Sequence, residues 1–376
     1  MNELNNNSMT VTYPSIYVGT NETQIFFTNS TPNLTEIYKP GKNDFQRRCF
    51  VTDATVATLP CMVDFIKNFT DGKCKNDELI ILGSGEAYKN IESVLTIVKT
   101  AVDAGFARKD LFVGIGGGVI CDLTGFAASL FKRSAHVEFV PTTLLAMVDA
   151  SIGGKTGCDF DNYKNMIGSF FPAQKIYMFP EFLKSLSKEQ FRSGLAEAFK
   201  TSLLYDKNLF QIFKTEKQKI LERDPEILTK IIQASANAKG NVVERDFTEK
   251  NERMFLNFGH TFGHALETIV GLGNIAHGDA VAWGIGRALD LSAKFDFCLE
   301  SYKDEVLNIL NDYGWETKPV HSLILGGGTG ERLLLAMHKD KKNSHEKIKL
   351  VLQKGLCDTF TKEFTDEEIL SVLTVK

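Results

Sequence analysis

The sequence predicts an α/β protein: an N-terminal Rossmann-like domain on a parallel sheet, then a mainly α-helical domain. Three observations lead there. Short apolar runs ending in glycine alternate with helix-spaced apolar residues through the first half of the chain. Near residue 187 this alternation gives way to long helical stretches. Only nine prolines occur and no Ser/Gly-rich linker separates the two patterns. Strand–helix–strand order with short connections calls for a parallel sheet with right-handed crossovers. Residues 1–187 are therefore assigned to the α/β domain and 188–376 to the helical one.

In chain order, Leu79-Ile80-Ile81-Leu82 is a short apolar run closed by Gly83-Ser84-Gly85. Ile91, Val94, Leu95, Val98 and Val102 then recur at helical spacing. Leu111-Phe112-Val113 reads as a buried strand, ending in Gly114-Ile115-Gly116-Gly117-Gly118. Val119 to Leu130 reads as a helix, and Val137-Glu138-Phe139-Val140 as the next strand, stopped by Pro141. The stretch Val148–Gly157, followed by Lys164-Asn165, is small and polar and reads as a loop. It is either a flexible surface segment or one ordered by a ligand. Beyond residue 187, helices are expected over Lys188–Tyr205, Pro225–Val243, Phe258–Val270, Asp279–Phe295 and Ser301–Tyr313.

Composition narrows the function. With 43% hydrophobic and 24% charged residues the chain can bury a sizeable core. A formal net charge of -4 provides no overall basic field, so neither nucleic acid nor a membrane surface is an expected partner. An anionic substrate must then be held by local Lys and Arg clusters. The polar start Met1–Asn7 lacks the charged and apolar regions of a secretory signal. No apolar run approaches the ~18 residues that span a bilayer. Seven scattered cysteines without a CxxC pair read as reduced thiols, and the cytoplasm is the expected compartment.

Four segments could carry chemistry. Glycines between a buried strand and a helix let backbone amides approach a pyrophosphate, although Gly114-x-Gly116-Gly117-Gly118 could equally be a tight turn. Asp122 and Thr142-Thr143 stand where a dinucleotide's phosphates and ribose need partners. His260 and His264 share one helical face with Glu267, a common metal-ligand spacing that surface histidines also show; His277 opens the next helix. Glu197 lies off the apolar stripe of Phe191, Leu195, Phe199 and Leu203, so with Lys200 it reads as an i, i+3 surface pair.

Together these segments resemble the 3-dehydroquinate synthase family over about residues 50 to 355. The resemblance rests on Gly116-Gly117-Gly118-Val119-Ile120, Asp122, Arg133, Pro141-Thr142-Thr143-Leu144-Leu145-Ala146, Asp149 and Gly153-Gly154-Lys155-Thr156-Gly157. It continues through Lys164-Asn165-Met166-Ile167-Gly168, Gly194-Leu195-Ala196-Glu197, Lys200, the run Leu256–Ala265 and His277-Gly278. It implies that Glu197, His260 and His277 bind zinc or cobalt, with His264 on the substrate side. It implies NAD contacts at Asp53, Glu86, Lys89, Gly117, Gly118, Asp122, Thr142, Thr143, Asp149, Lys164, Phe182 and Ser185. Arg133, Lys155, Asn165, Lys200, Lys239, Arg253 and Asn257 would surround a phosphorylated sugar acid, and Lys347, in a Lys-Ile-Lys strand, would add a phosphate contact. The first domain then binds NAD and the second metal and substrate, in a homodimer that forms dehydroquinate and phosphate from a heptulosonate 7-phosphate.

This chain departs from the family pattern at Cys121, Phe247, Gln190 and Ala150. The rival readings are a sister cyclase of another sugar 7-phosphate, a metal-dependent polyol dehydrogenase, and a binding protein that kept only the fold. A small neutral polyol needs no set of cations such as Lys155, Lys239 and Arg253.

Overall fold

The apolar runs of the first half become the centre of one sheet. The computed structural model describes residues 7–13, 20–28, 32–39, 47–161, 163–271, 273–340 and 347–373. Its strands are β1 (Ser8–Thr12), β2 (Glu22–Phe27), β3 (Arg48–Asp53), β4 (Glu78–Leu82), β5 (Leu111–Gly116) and β6 (His136–Pro141). A hairpin of β7 (Lys155–Phe160) and β8 (Tyr163–Phe170) precedes β9 (Lys175–Met178). Among the described residues the sheet order is β1-β2-β9-β6-β5-β3-β4. β1 and β2 pair antiparallel; every pairing from β2 across to β4 is parallel. All of β5 is buried, which explains its unbroken apolar run, since parallel sheets are covered on both faces. The carboxyl ends of β3, β4, β5, β6 and β9 therefore share one edge, where ligands of such sheets gather.

The chain forms two compact units. Residues Met1–Ser187 and Pro225–Thr248 make the first; Lys188–Asp224 and Glu249–Lys376 make the second. The division into 1–187 and 188–376 is thus corrected for one segment: the helix Pro225–Arg245 packs with the α/β unit. A Cβ on its Gly240 would lie 2.8 Å from Val11 Cγ2, and Glu244 Oε1 accepts from the Thr12 amide at 2.6 Å. Amphipathic spacing shows that a helix buries one face, not which element receives it.

A second correction concerns the expected loop at Val148–Gly157. Ala146–Ala150 is a single wide π-helical turn, and Lys155 opens the β7–β8 hairpin. Gly157 and Gly168 are register partners there, and a Cβ on Gly157 would lie 2.5 Å from the Ile167 carbonyl oxygen. So close a backbone approach strips the strands of the side chains that would have announced them.

In the second unit the helices run over Lys188–Tyr205, His260–Val270, His277–Lys294, Glu300–Asp312 and Thr329–Asp340. A hairpin, β10 (Ile348–Gly355) and β11 (Asp358–Phe364), follows, and Lys347 sits just before it rather than within the strand. Among the described residues no helix is long and apolar enough to cross a membrane.

Candidate functional site

In the first unit β5 ends at Gly116 and enters the helix Gly118–Leu130 through Gly117. No side chain caps this helix, leaving its first amides without a side-chain acceptor, as an anion site requires. A Cβ on Gly117 would lie 3.1 Å from Thr143 Cγ2, and one on Gly118 would lie 3.2 Å from Ala150 Cβ. Beside them the Thr142 hydroxyl is buried without a hydrogen-bond partner, which costs about 1–3 kcal/mol unless a ligand supplies one. Open amides, a cradle too tight for side chains and an orphaned hydroxyl fit a dinucleotide's phosphates.

Charged groups are already paired around this edge. Lys89 Nζ lies 2.7 Å from Asp122 Oδ2 and donates to Asn165 Oδ1 at 2.6 Å. Burial opposes the charge on Lys89, but Asp122 and then Glu86 outweigh it and push its pKa up. Lys164 approaches Glu86 at 3.9 Å. Lys239 donates to the Asp149 carbonyl at 2.6 Å and to its carboxylate at 2.5 Å. Asp53 Oδ1 accepts from the Thr55 and Val56 amides at 2.9 and 3.0 Å and from the Ser84 hydroxyl at 3.0 Å. On the turn after β9, the Phe182 ring is buried and Ser185 Oγ donates to the Phe182 carbonyl at 2.7 Å. Cys121 is buried, and burial pushes its thiol up. Phe247 is a packing residue, with ring centroids 5.1 Å from Tyr13 and 5.3 Å from Phe170.

In the second unit close backbone contacts bring separate helices together. A Cβ on Gly284 would lie 2.0 Å from the Gly259 carbonyl oxygen, and one on Gly278 2.1 Å from that of Ser193. Ser193 Oγ accepts from the Gly278 amide at 2.9 Å, and Arg192 grips Asp279 through bonds of 2.9 and 2.5 Å. The helices carrying Glu197, His260 and His277 are thereby locked together.

Glu197 and Lys200, which the helical pattern alone reads as a surface pair, are each 1% exposed. Their side chains form a close ion pair. Oε2 of Glu197 is held by Lys200, and Oε1 faces His260 Nε2 and His277 Nε2 at 3.5 and 3.6 Å. Burial opposes ionisation of Glu197, but Lys200 and then His260 outweigh it and hold the carboxyl well below the usual range. Burial and then Lys200 keep His260 well below the usual imidazole value. Burial also disfavours the charge on His277, but contacts with Glu197 and Glu267 outweigh it and bring its pKa to about 9.

Among the described residues two donor groups could hold an ion: Glu197, His260 and His277, and His264, Glu267 and His277, the ligand atoms of each within 4.8 Å of one another. Neither contains both His260 and His264, the pair that helical spacing alone suggested. In the first group a buried carboxylate oxygen meets two imidazoles, a donor set suited to a divalent transition metal. Glu267 then stands behind His277, 3.4 Å from Nδ1.

Arg253 is buried in this unit, and Asn257 Nδ2 donates to Glu249 Oε1 at 2.7 Å. Sequence reasoning missed Glu249; it precedes the irregular turn Glu252–Asn257, where no periodicity marks a facing residue. Arg133 is exposed in the left-handed turn Lys132–Ser134, with φ of 62°. No hydrogen bond or ion pair among the described residues joins Arg133 or Lys347 to the other candidates.

Residues 79–193 match the family described as 3-dehydroquinate synthase N-terminal, and residues 194–343 that described as 3-dehydroquinate synthase C-terminal. The chain is 38% identical over 306 residues to the 3-dehydroquinate synthase of Acidithiobacillus ferrooxidans, covering 81% of this chain and 82% of that protein. It is 37% identical over 325 residues to the chloroplastic 3-dehydroquinate synthase of Solanum lycopersicum, covering 86% and 71%. A 2-deoxy-scyllo-inosose synthase solved with carbaglucose-6-phosphate, NAD+ and Co2+ superposes with a TM-score of 0.83 over 97% of this chain and 99% of that one. At 21% identity that likeness shows the fold.

Proposed function

The chain belongs to the 3-dehydroquinate synthase family, and from that premise we propose how its own residues carry the reaction. It is an enzyme, a phosphate-eliminating cyclase that converts 3-deoxy-D-arabino-heptulosonate 7-phosphate to 3-dehydroquinate and phosphate. Its cofactors are NAD and one divalent metal ion.

Glu197, His260 and His277 would hold the ion, zinc or cobalt, which would bind hydroxyls of the substrate. The observation that carries this reading is the buried Glu197 carboxylate, with Oε2 held by Lys200 and Oε1 facing two imidazoles. Glu267 behind His277 supports it, since a carboxylate at the back of a ligand imidazole fixes its tautomer and aim. When bound, the ion lowers the pKa of hydroxyls that reach it; NAD supplies reversible hydride uptake. Asp53, Glu86, Lys89, Gly117, Gly118, Asp122, Thr142, Thr143, Asp149, Lys164, Phe182 and Ser185 are its contacts.

Lys155, Asn165, Lys200, Lys239, Arg253, Asn257, Arg133 and Lys347 hold the phosphate, carboxylate and hydroxyls of the substrate. His264, its ring centroid 5.3 Å from His260 and 5.9 Å from His277, contacts substrate hydroxyls. Oxidation of one alcohol acidifies the neighbouring C–H, and phosphate leaves by β-elimination. The ketone is then reduced, the pyranose opens, and an intramolecular aldol closes the carbocycle. Charge-assisted hydrogen bonds from Lys155 and Arg253 orient the phosphate so that it takes the acidified proton itself. Exclusion of water protects the enol intermediates.

A polyol dehydrogenase would have no use for buried Lys200, Lys239 and Arg253. We also propose that the protein works as a cytoplasmic homodimer, which sedimentation of the purified protein measures.

The test is chemical. With NAD and Zn2+ or Co2+, heptulosonate 7-phosphate should yield phosphate and dehydroquinate in equal amounts; EDTA should abolish both, and added metal restore them. Phosphate release that survives complete metal removal contradicts the reading.

A further inference from the structure

In the first unit, two segments with proposed ligand contacts meet at Asp159, a residue that is assigned no contact of its own. Asp159, near the end of β7, donates its backbone amide to the Lys89 carbonyl at 2.8 Å. Its Oδ1 accepts from the Asn165 backbone amide at 2.8 Å. The β7–β8 register shifts here: Cys158 pairs with Ile167 but Phe160 pairs with Tyr163, leaving Lys164–Met166 bulged opposite Asp159. Bulges re-aim side chains. Asn165, at the bulge, has φ of 51°, a left-handed conformation sparsely populated outside glycine.

The ring closes through side chains. Asn165 Oδ1 accepts from Lys89 Nζ at 2.6 Å, and that ammonium pairs with Asp122 at 2.7 Å. With Oδ1 turned to an ammonium, Asn165 offers a ligand its Nδ2, which can only donate. That suits a phosphate, carboxylate or hydroxyl oxygen. We infer that Asp159 is a positioning residue: it holds the bulge that aims the Asn165 amide at a substrate oxygen and ties that aim to Lys89 on the cofactor side. The inference rests on the roles proposed above for Asn165 and Lys89.

The test uses enzyme loaded with NAD and metal, and compares Asp159→Ala, Asp159→Asn, Asn165→Ala and the double alanine variant. Asp159→Ala should raise substrate KM about tenfold, the scale of one charge-assisted hydrogen bond, with kcat changed less. Asp159→Asn keeps an oxygen acceptor for the Asn165 amide and should restore KM. The double variant should be no worse than Asn165→Ala, because residues that act through one another are not additive. If Asp159→Ala does not fold, Asp159→Ser, whose oxygen is too short to reach, replaces it. An unchanged KM in the loss variant while Asn165→Ala raises it, additive losses, or an Asp159→Asn as impaired as the loss variant each overturn the inference. An unchanged KM in Asn165→Ala removes the proposed role of Asn165 and the inference with it, leaving the metal and NAD readings standing.

Discussion

At the sheet edge of the first unit, the proposed cofactor contacts come from the ends of β3, β4, β5, β6 and β9, and part of what they offer is backbone. The contacts proposed there are amides at Gly117, the Thr142 hydroxyl and ion pairs such as Lys89–Asp122. In the second unit the chemistry converges on one buried carboxylate and two imidazoles, assembled by glycine contacts between helices. A distributed site is built to bind a long cofactor through many weak contacts. A concentrated site fixes one ion, and no donor in it is redundant. Single substitutions should therefore be graded in the first unit and severe in the second.

The largest effect is expected at the donors. His260→Ala and His277→Ala should weaken metal binding by more than the ~10–100-fold that loss of an outer-sphere partner costs. His264→Ala should keep the metal and lose turnover. Elemental analysis of the three proteins checks this; equal metal loss in His264→Ala would shift the ion to the second donor group. Glu267→Gln should fall in the ~10–100-fold range itself, measured by competition with a chelator.

Next comes assembly. Gly278→Ala forces a Cβ against the Ser193 carbonyl and should cost about 3 kcal/mol of stability, read from denaturant unfolding, with metal affinity falling alongside. Unchanged stability would show that the helices can separate without harm.

Lys155→Ala and Arg253→Ala should each cost about 1.5–3 kcal/mol of transition-state binding, roughly a ten- to hundredfold loss in kcat/KM, while NAD affinity changes little. A variant that loses NAD and keeps normal substrate kinetics would belong to the cofactor site. The smallest effect is expected at Thr142→Val, which removes one hydroxyl hydrogen bond from a cofactor that backbone amides also hold, worth about 0.5–1.5 kcal/mol. NAD titration should show weakening of at most about tenfold; a loss as large as that of a metal donor would erase the contrast between the units.

The two sites were unequally legible. The glycine loop announces itself because a buried strand, glycines and a helix are consecutive in sequence, and the binding proposed for it is by backbone. Glu197 is silent by pattern: it lies off the apolar stripe, and only a helix buried on almost every side hides it. His277 is distant in sequence from Glu197, and the glycine contact that joins their helices has no local signature. Helical spacing pointed to His260 with His264, where the structure puts them in separate donor groups that share His277. Family resemblance, not periodicity, pointed to the first of the two donor groups. The hairpin of Lys155, Asp159 and Asn165 looked like a loop because close strands leave room for glycine rather than for strand-forming side chains.

The central claim is that NAD is a true catalyst here, its hydride taken from the substrate and returned after phosphate leaves. It is tested with enzyme and NAD both far below heptulosonate 7-phosphate. Many phosphates should be released per NAD, with no free NADH accumulating at any time. NADH appearing in step with an oxidised product, without phosphate release, would contradict the account.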